Sequence, residues 1–470
     1  MPRCSAKRAP NITLQWPTEA GSPRMTMPLS GPVSKCADFI SARLSYLQNT
    51  IIYTLERMLG IGLAFLVYMA LAHNYGPDLL GQYSYVQSVM LFAVPFLASG
   101  SEGIIIRDLV RHPQQTDTIL GSALVVLSAT GLVTCLVPLV TLWVLEGNNT
   151  ALMSMAIFTS IGFVPSGFLV GEHLLKKEQR AFTVLIVRGG SAIAGAAVKL
   201  YLIFTGHPIE TVVLATAAEA FILTVLLLAA IPVAHRPRQW RYSRQISVQI
   251  FRQSLPGMVA SVAVLLFFRT NHLLLAYLSD FASVGQYALA FQTSQMFLVV
   301  PTVAFGAIYP RLVQLHGENS ARYRWALDLL YFVFTAAGYC IALACILGAR
   351  PLFHLVFGDR FDTAASVLIV LSIANIFNYS GAVRGRAIDI ANRPVYHLWC
   401  GLLGFVLVFI SSWLVIPHYG PVGAAWCAMF AMAISGVLTS WVLPGLREDA
   451  VAQLKSLLII PAVKGLLRTT

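Results

Sequence analysis

The 470-residue chain is 57% hydrophobic and only 11% charged, with a mean hydropathy of +0.72, whereas soluble domains carry about 25% charged residues. That balance excludes an ordinary soluble enzyme and demands a polytopic membrane protein. The formal charge of +12 reads as basic residues held along one membrane face, and no nucleic-acid partner is expected.

Residues 1–49 mix proline, serine and scattered charge without the apolar core of a cleaved signal, and read as a disordered cytoplasmic tail. Met25 and Met27 offer alternative translation starts to Met1. Lipid supplies no partner for backbone N–H and C=O groups, so a spanning helix needs about 20 mostly apolar residues. Twelve runs qualify: 50–72, 82–106, 118–145, 151–171, 181–204, 211–234, 253–277, 285–309, 326–348, 363–383, 394–417 and 421–444. The expected fold is all-α, with six-helix halves at 50–234 and 253–444, a basic cytoplasmic linker at 235–252, and a cytoplasmic or interfacial tail at 445–470.

Placing both termini and alternate loops on one side gathers most of the 32 basic residues there, and that side is the cytoplasm. Arg350 and Arg360 fall opposite. Arg57, Arg188, Lys199 and Arg269 lie inside the runs. The seven cysteines contain no C-x-x-C pair and read as small buried hydrophobes.

Gly81-Gln82-Tyr83 recurs 204 residues later as Gly285-Gln286-Tyr287, each opening the second run of its half, with Pro95 and Pro301 further along. Six spans per half keep both halves in one orientation, so the repeat is parallel about an axis along the membrane normal. A further echo, "HYGPVGAAW" at 418–426, matches "NYGPDLLGQY" at 74–83.

The stretches "LAHNYGPDLLGQYSYVQSVMLFAVPFLASGSEGIIIRDLV", "FRTNHLLLAYLSDFASVGQYALAFQTSQMFLVVPTVAFGAIYPRL" and "PLFHLVFGDRFDTAASVLIVLSIANIFN" resemble one branch of the multidrug/oligosaccharidyl-lipid/polysaccharide (MOP) exporters. That branch is polysaccharide export, including Wzx-type flippases. The resemblance implies a MATE/MOP-like fold in a bacterial inner membrane. It also implies alternating access for a polyprenyl-diphosphate-linked oligosaccharide, an O-antigen or exopolysaccharide repeat unit. Spans one and seven would line the central cavity. The implied partners are that substrate and membrane lipids, with a polysaccharide polymerase and chain-length regulator alongside.

A charge at bilayer depth is costly and marks a cavity or pathway. Arg188 and Lys199, eleven residues apart, fall on nearly one helix face and suggest a basic wall. Arg269 is the leading candidate for a substrate anion. Arg57 adjoins Glu56 and either joins the cavity or snorkels to the interface. Glu219 reads as a coupling site or as a counter-charge for Arg188 or Lys199, and His272 as a titrating or a structural histidine. Relatives often carry an acid two places after the arginine of span seven. Asn271 stands there instead, which removes a local counter-charge and casts doubt on any ion-binding role. No cofactor, metal set or catalytic constellation is expected, and coupling to a proton or sodium stays open. A glycan polymerase or ligase needs a large extracytoplasmic loop, and the longest here is 349–362. No G-x-x-x-x-G-K-[ST] phosphate loop occurs. A peptidoglycan-precursor flippase and a drug/cation antiporter are the nearer rivals.

Overall fold

The computed structural model describes residues 32–98, 101–393, 395–443 and 446–458, and from Asn49 onward they form one unit. Every described element is helical. In the first half these are α1 (Pro32–Leu91), α2 (Val94–Ala98), α3 (Ser101–Arg111), α4 (Thr116–Glu146) and α5 (Thr150–Phe163). They continue with α6 (Val170–Lys177), α7 (Ala181–Val184), α8 (Gly190–Phe204) and α9 (Ile209–Ala230). The second half holds α10 (Arg244–Leu278), α11 (Phe281–Phe297), α12 (Val299–Glu318), α13 (Ser320–Phe357), α14 (Asp362–Ile390), α15 (Val395–Ala433) and α16 (Thr439–Val442). Then comes α17 (Arg447–Leu457).

Among the described residues nine stretches are long and apolar enough to cross a membrane, against the twelve runs expected. The difference lies in three long stretches, Ile51–Arg111, Ser320–Ile390 and Val395–Val442, each of which covers two of the expected runs. The first is interrupted at Gly76 and the third at Gly420, both in the left-handed region (φ 76° and 53°). The second is interrupted by the turn at 358–361. Both glycines sit in a Tyr-Gly-Pro sequence. Glycine alone takes the positive φ without a Cβ clash. The following Pro77 or Pro421 has no N–H to leave unsatisfied at the start of the next helical segment.

Pro95 and Pro301 act alike in their halves. A helical proline cannot donate to the carbonyl four residues back, and α1 ends at Leu91 while α11 ends at Phe297, four residues before each. Neighbouring hydroxyls take up carbonyls at these breaks. Thr134 Oγ1 donates to Ala93 O at 3.0 Å, and Tyr379 Oη donates to Phe297 O. Such capture lets lipid-embedded helices break without orphaned backbone groups.

The largest apolar cluster joins both halves, from Leu71, Leu80 and Met90 to Tyr287, Phe361 and Leu371. Large apolar side chains such as Trp143, Phe204, Leu347 and Leu414 stay exposed on the outside, as lipid-facing positions do.

Two boundaries differ from expectation. Residues 32–49, assigned to a disordered tail, are helical as the start of α1, while 1–31 lie outside the described residues. The linker is shorter than 235–252, because α10 begins at Arg244 with Ser247 and Ile250 buried. Its remainder is pinned to the first half, with Arg241 N donating to Asp117 O at 3.1 Å and His235 Nδ1 2.8 Å from Asp117 Oδ1. In the tail, expected to be cytoplasmic or interfacial, α17 docks on α13. Thr335 meets Ser456 at 3.1 Å, and Tyr339 Oη donates to Leu457 O at 3.0 Å. Polar positions along α13 thus receive the polar face of α17, whereas 459–470 lie outside the described residues.

Candidate functional site

Charges buried in the first half are paired. Arg188 Nη1 lies 3.1 Å from Glu172 Oε1, and its Nε lies 3.9 Å from Glu56. Glu172 also holds Lys176 at 2.7 Å, and Lys176 reaches Glu102 at 2.5 Å. His173, 8% exposed, and Tyr53 sit within this network. The His173 Nδ1 and Tyr53 Oη have no hydrogen-bond partner among the described residues. Lys199 Nζ lies 2.6 Å from Glu219 Oε2, and Gly195, one turn before Lys199, leaves the space that the Glu219 carboxylate fills.

The basic wall expected from Arg188 and Lys199 is therefore not a pair of free cations. Each is neutralised by a carboxylate on another helix, and Glu219 is the counter-charge of Lys199. Arg188 also lies inside a π-helical turn, Leu185–Gly189, where counting at 100° per residue no longer holds. Arg57 is exposed, and Glu56 turns towards Arg188.

Arg269 stands apart. It is half-buried on α10 and makes no hydrogen bond or ion pair among the described residues. Its guanidinium carbon lies 5.4 Å from the centre of the Phe291 ring, with Tyr68, Tyr83 and Tyr287 in its electrostatic surroundings. Aromatic faces attract a cation without neutralising its formal charge. The five N–H donors of the guanidinium therefore remain available to an anion.

Asn271 and His272 are structural neighbours of this arginine. The Asn271 amide donates to Tyr287 Oη at 3.0 Å and Ala424 O at 2.9 Å, and its oxygen accepts from Ser412 Oγ at 2.8 Å. Those bonds tie α10 to α11 and to both arms of α15 across Gly420, leaving the side chain no free ligand atom pair. His272, 1% exposed, lies edge-on to Tyr287 and Phe291, each 5.1 Å away between ring centres.

Sequence reasoning missed Glu102, Glu172, His173 and Lys176 as a connected network, because they sit at run ends where charge is ordinary. It also placed Arg384 in a loop. The structure buries Arg384 to 8% exposure in α14, donating to the carbonyls of Ser435 and Gly436 and to Thr439 Oγ1 at 2.7 Å. These acceptors lie at a π turn, Ile434–Leu438, whose altered ladder exposes carbonyls that the arginine satisfies. The described residues also bring His354, Asp359 and Asp362 together on an exposed turn, their ligand atoms within 4.8 Å of one another.

This architecture is an all-helical, multi-span membrane bundle whose fold matches that of solved membrane transporters. An inward-facing MATE multidrug transporter of the MOP superfamily superposes with a TM-score of 0.67 at 15% identity, over 83% of this chain and 96% of that one. The lipid II flippase MurJ, in an inward closed conformation, gives 0.67 at 13% identity over 90% and 93%. Residues 46–316 match the polysaccharide biosynthesis protein family, and the chain belongs to that family. The probable flippase AglR of Haloferax volcanii is 19% identical over 280 residues, 57% of this chain and 56% of AglR. The chain spans between about a third and just over half of the length of the curated relatives it matches.

Proposed function

We propose that this protein is a flippase that carries a polyprenyl-diphosphate-linked oligosaccharide, an O-antigen or exopolysaccharide repeat unit, from the cytoplasmic to the outer leaflet. It would act in a bacterial inner membrane with both termini in the cytoplasm. The observation that carries this reading is Arg269, a half-buried cation with aromatic neighbours and no carboxylate partner among the described residues. A diphosphate supplies the missing counter-charge, and the planar guanidinium can meet two of its oxygens at once. Family membership and the flippase relatives support the same direction, transport rather than catalysis.

In this mechanism the two halves rock about the central site. An inside-negative potential assists outward movement of an anion, about 2.3 kcal/mol for each charge crossing 100 mV. Coupling to a proton or sodium is thus not required by the energetics. With Glu219 bound to Lys199, the first-half carboxylates serve to neutralise structural cations. A free arginine disfavours an organic-cation antiporter. A peptidoglycan precursor carries the same diphosphate and is the second reading, favoured by the superposition on MurJ.

The test is deletion with analysis of lipid-linked intermediates by leaflet. Accumulation of one diphosphate-linked oligosaccharide on the cytoplasmic side, relieved by wild type and not by Arg269→Ala at equal abundance, is expected. Unaltered surface glycans on deletion would overturn the assignment, and accumulation of the peptidoglycan precursor would select the second reading.

A further inference from the structure

Past the break before Pro301, α12, α14 and the start of α15 enclose a cavity of about 310 Å³ that the arginine site does not use. Thr302 and Phe305 line it from α12, Asn378, Arg386 and Asp389 from α14, and His397 from α15. Its charged groups are held against one another. Arg386 Nη1 donates to Asp389 Oδ2 at 3.3 Å, and His397 Nε2 lies 2.9 Å from Asp389 Oδ1. The guanidinium carbon also lies 5.7 Å and 5.6 Å from the ring centres of Phe305 and Tyr309. Phe305 is itself 2% exposed and stacked on Phe334, with 4.9 Å between ring centres. A carboxylate and packed rings therefore fix the orientation of Arg386 before any ligand arrives.

This lining suits a ligand of different chemistry from that of Arg269. The formal charges of Arg386 and Asp389 cancel, so a charged ligand finds no net counter-charge to replace its hydration. An anion would have to compete with Asp389 for both of its partners, and a cation with Arg386 for Asp389. Donors and acceptors stand side by side instead: the guanidinium, the carboxylate, the imidazole, the Thr302 hydroxyl and the Asn378 amide, which is anchored on Asn375 Oδ1 at 3.1 Å. A hydroxyl both donates and accepts, and a ligand rich in hydroxyls meets such a set best. Leu298 and Pro301 add an apolar wall, against which the C–H face of a sugar ring packs. A wholly apolar ligand would leave the polar groups unpaired.

The cavity is also within reach of the arginine. Phe291, against which Arg269 lies, and Leu298 are seven residues apart, which is about 10 Å at the rise of a helix. A glycan is joined directly to its diphosphate, so its first few sugars cross that span.

We propose that this cavity is a sugar subsite, which takes an uncharged pyranose of the glycan a few rings from the diphosphate and reads its hydroxyls with Asp389 and Arg386. This rests on the flippase reading, in which Arg269 holds the diphosphate.

The experiment uses the full chain in lipid nanodiscs with two probes: undecaprenyl diphosphate, and the oligosaccharide repeat unit released from the surface polysaccharide of the source cells. Binding of each is measured separately. Asp389→Asn and Arg386→Met are expected to weaken the repeat unit about tenfold or more, as loss of a hydrogen bond to a charged group does, and to leave undecaprenyl diphosphate unchanged. Arg269→Ala should do the converse. Gly385→Leu, where the first added carbon meets only His397 Cε1 at 3.6 Å, fills the cavity without removing a hydrogen bond, and decides alone if the polar variants fail to accumulate. A repeat unit that does not bind wild type, or binds the cavity variants equally well, would overturn the subsite. So would its displacement from the Arg269→Ala chain by inorganic diphosphate, which would make the cavity an anion site. Repeat-unit binding lost in the cavity variants, with undecaprenyl diphosphate indifferent to Arg269→Ala, would leave the subsite standing and sink the diphosphate assignment, so the two failures are separable.

Discussion

The first half and the second half treat a buried cation in opposite ways. In the first, Lys199 has Glu219 at 2.6 Å, and Arg188 has Glu172 at 3.1 Å with Glu56 beyond. In the second, Arg269 has aromatic neighbours and no carboxylate partner among the described residues, while Arg384 is absorbed by backbone carbonyls and hydroxyls. A paired cation has its charge cancelled and its donors occupied, so it holds helices together. An unpaired one carries a standing desolvation cost that a ligand anion relieves. Position inside a helix does not distinguish these cases; the neighbour on the next helix does.

The largest break of that contrast is Arg269→Ala. Truncating one partner of a desolvated charge pair costs about 2–5 kcal/mol, so transport at limiting substrate is expected to fall about thirtyfold or more. Because no carboxylate is left stranded, thermal stability in detergent should hold or rise. Arg269→Lys should fall between, since a point charge lacks the fork. A variant that loses transport and unfolds together would make Arg269 structural and erase the comparison.

The pair Lys199 and Glu219 should behave in the reverse way. Glu219→Gln or Lys199→Gln strands its partner and is expected to destabilise by about 3 kcal/mol, with the double variant regaining most of it. Export per folded molecule should stay near wild type. A double variant that is stable yet inactive would return Glu219 to a coupling role. A smaller loss is expected from Asn271→Asp, which gives up the donations to Tyr287 and Ala424 and sets a carboxylate against a carbonyl, at about 2 kcal/mol. Thermal unfolding measures it, and an unchanged midpoint would show that Asn271 is not the tie between α10, α11 and α15.

Much of the architecture was legible because its causes are local. Apolar run length, the Tyr-Gly-Pro reversals and the two prolines are each decided within a few residues, and the structure interrupts the helices at those places. Ion pairing was not legible. Arg188 and Lys199 share a helix, and periodicity can say which face they occupy, but their carboxylates come from helices whose rotation the sequence leaves free. The absence of an acid at Asn271 did point to Arg269 as the open cation. The reason differs, since Asn271 turns away from the arginine towards Ala424 and Ser412. The Gly-Gln-Tyr repeat announced equivalent positions without announcing that Gly81 and Gly285 pack against each other's helices, because reciprocity of a contact is a property of two helices together.

The smallest effect lies at α17, where a third kind of charged site extends the comparison. Asp449 is 5% exposed, 3.2 Å from Arg324 Nη1 and within 3.4 Å of Tyr331 Oη. Burial raises its carboxyl above the ordinary 3.8 despite the opposing pull of Arg324, so this pair, unlike Lys199 with Glu219, includes an acid that the fold holds reluctantly in its charged form. The docked helix binds the proton more tightly than the undocked one. Docking is therefore strongest below 3.8 and weakens as pH rises through the raised value. Hydrogen exchange of the α17 amides, corrected for intrinsic rates, should show protection falling over that window. Asp328 and Glu448 share Arg324 at 3.7 and 3.6 Å, so Asp449→Asn isolates the contribution. The variant should lose the slope and match the protection that wild type reaches at low pH. An unchanged slope would assign it to the exposed carboxylates and leave Asp449 an ordinary ion pair, like those of the first half.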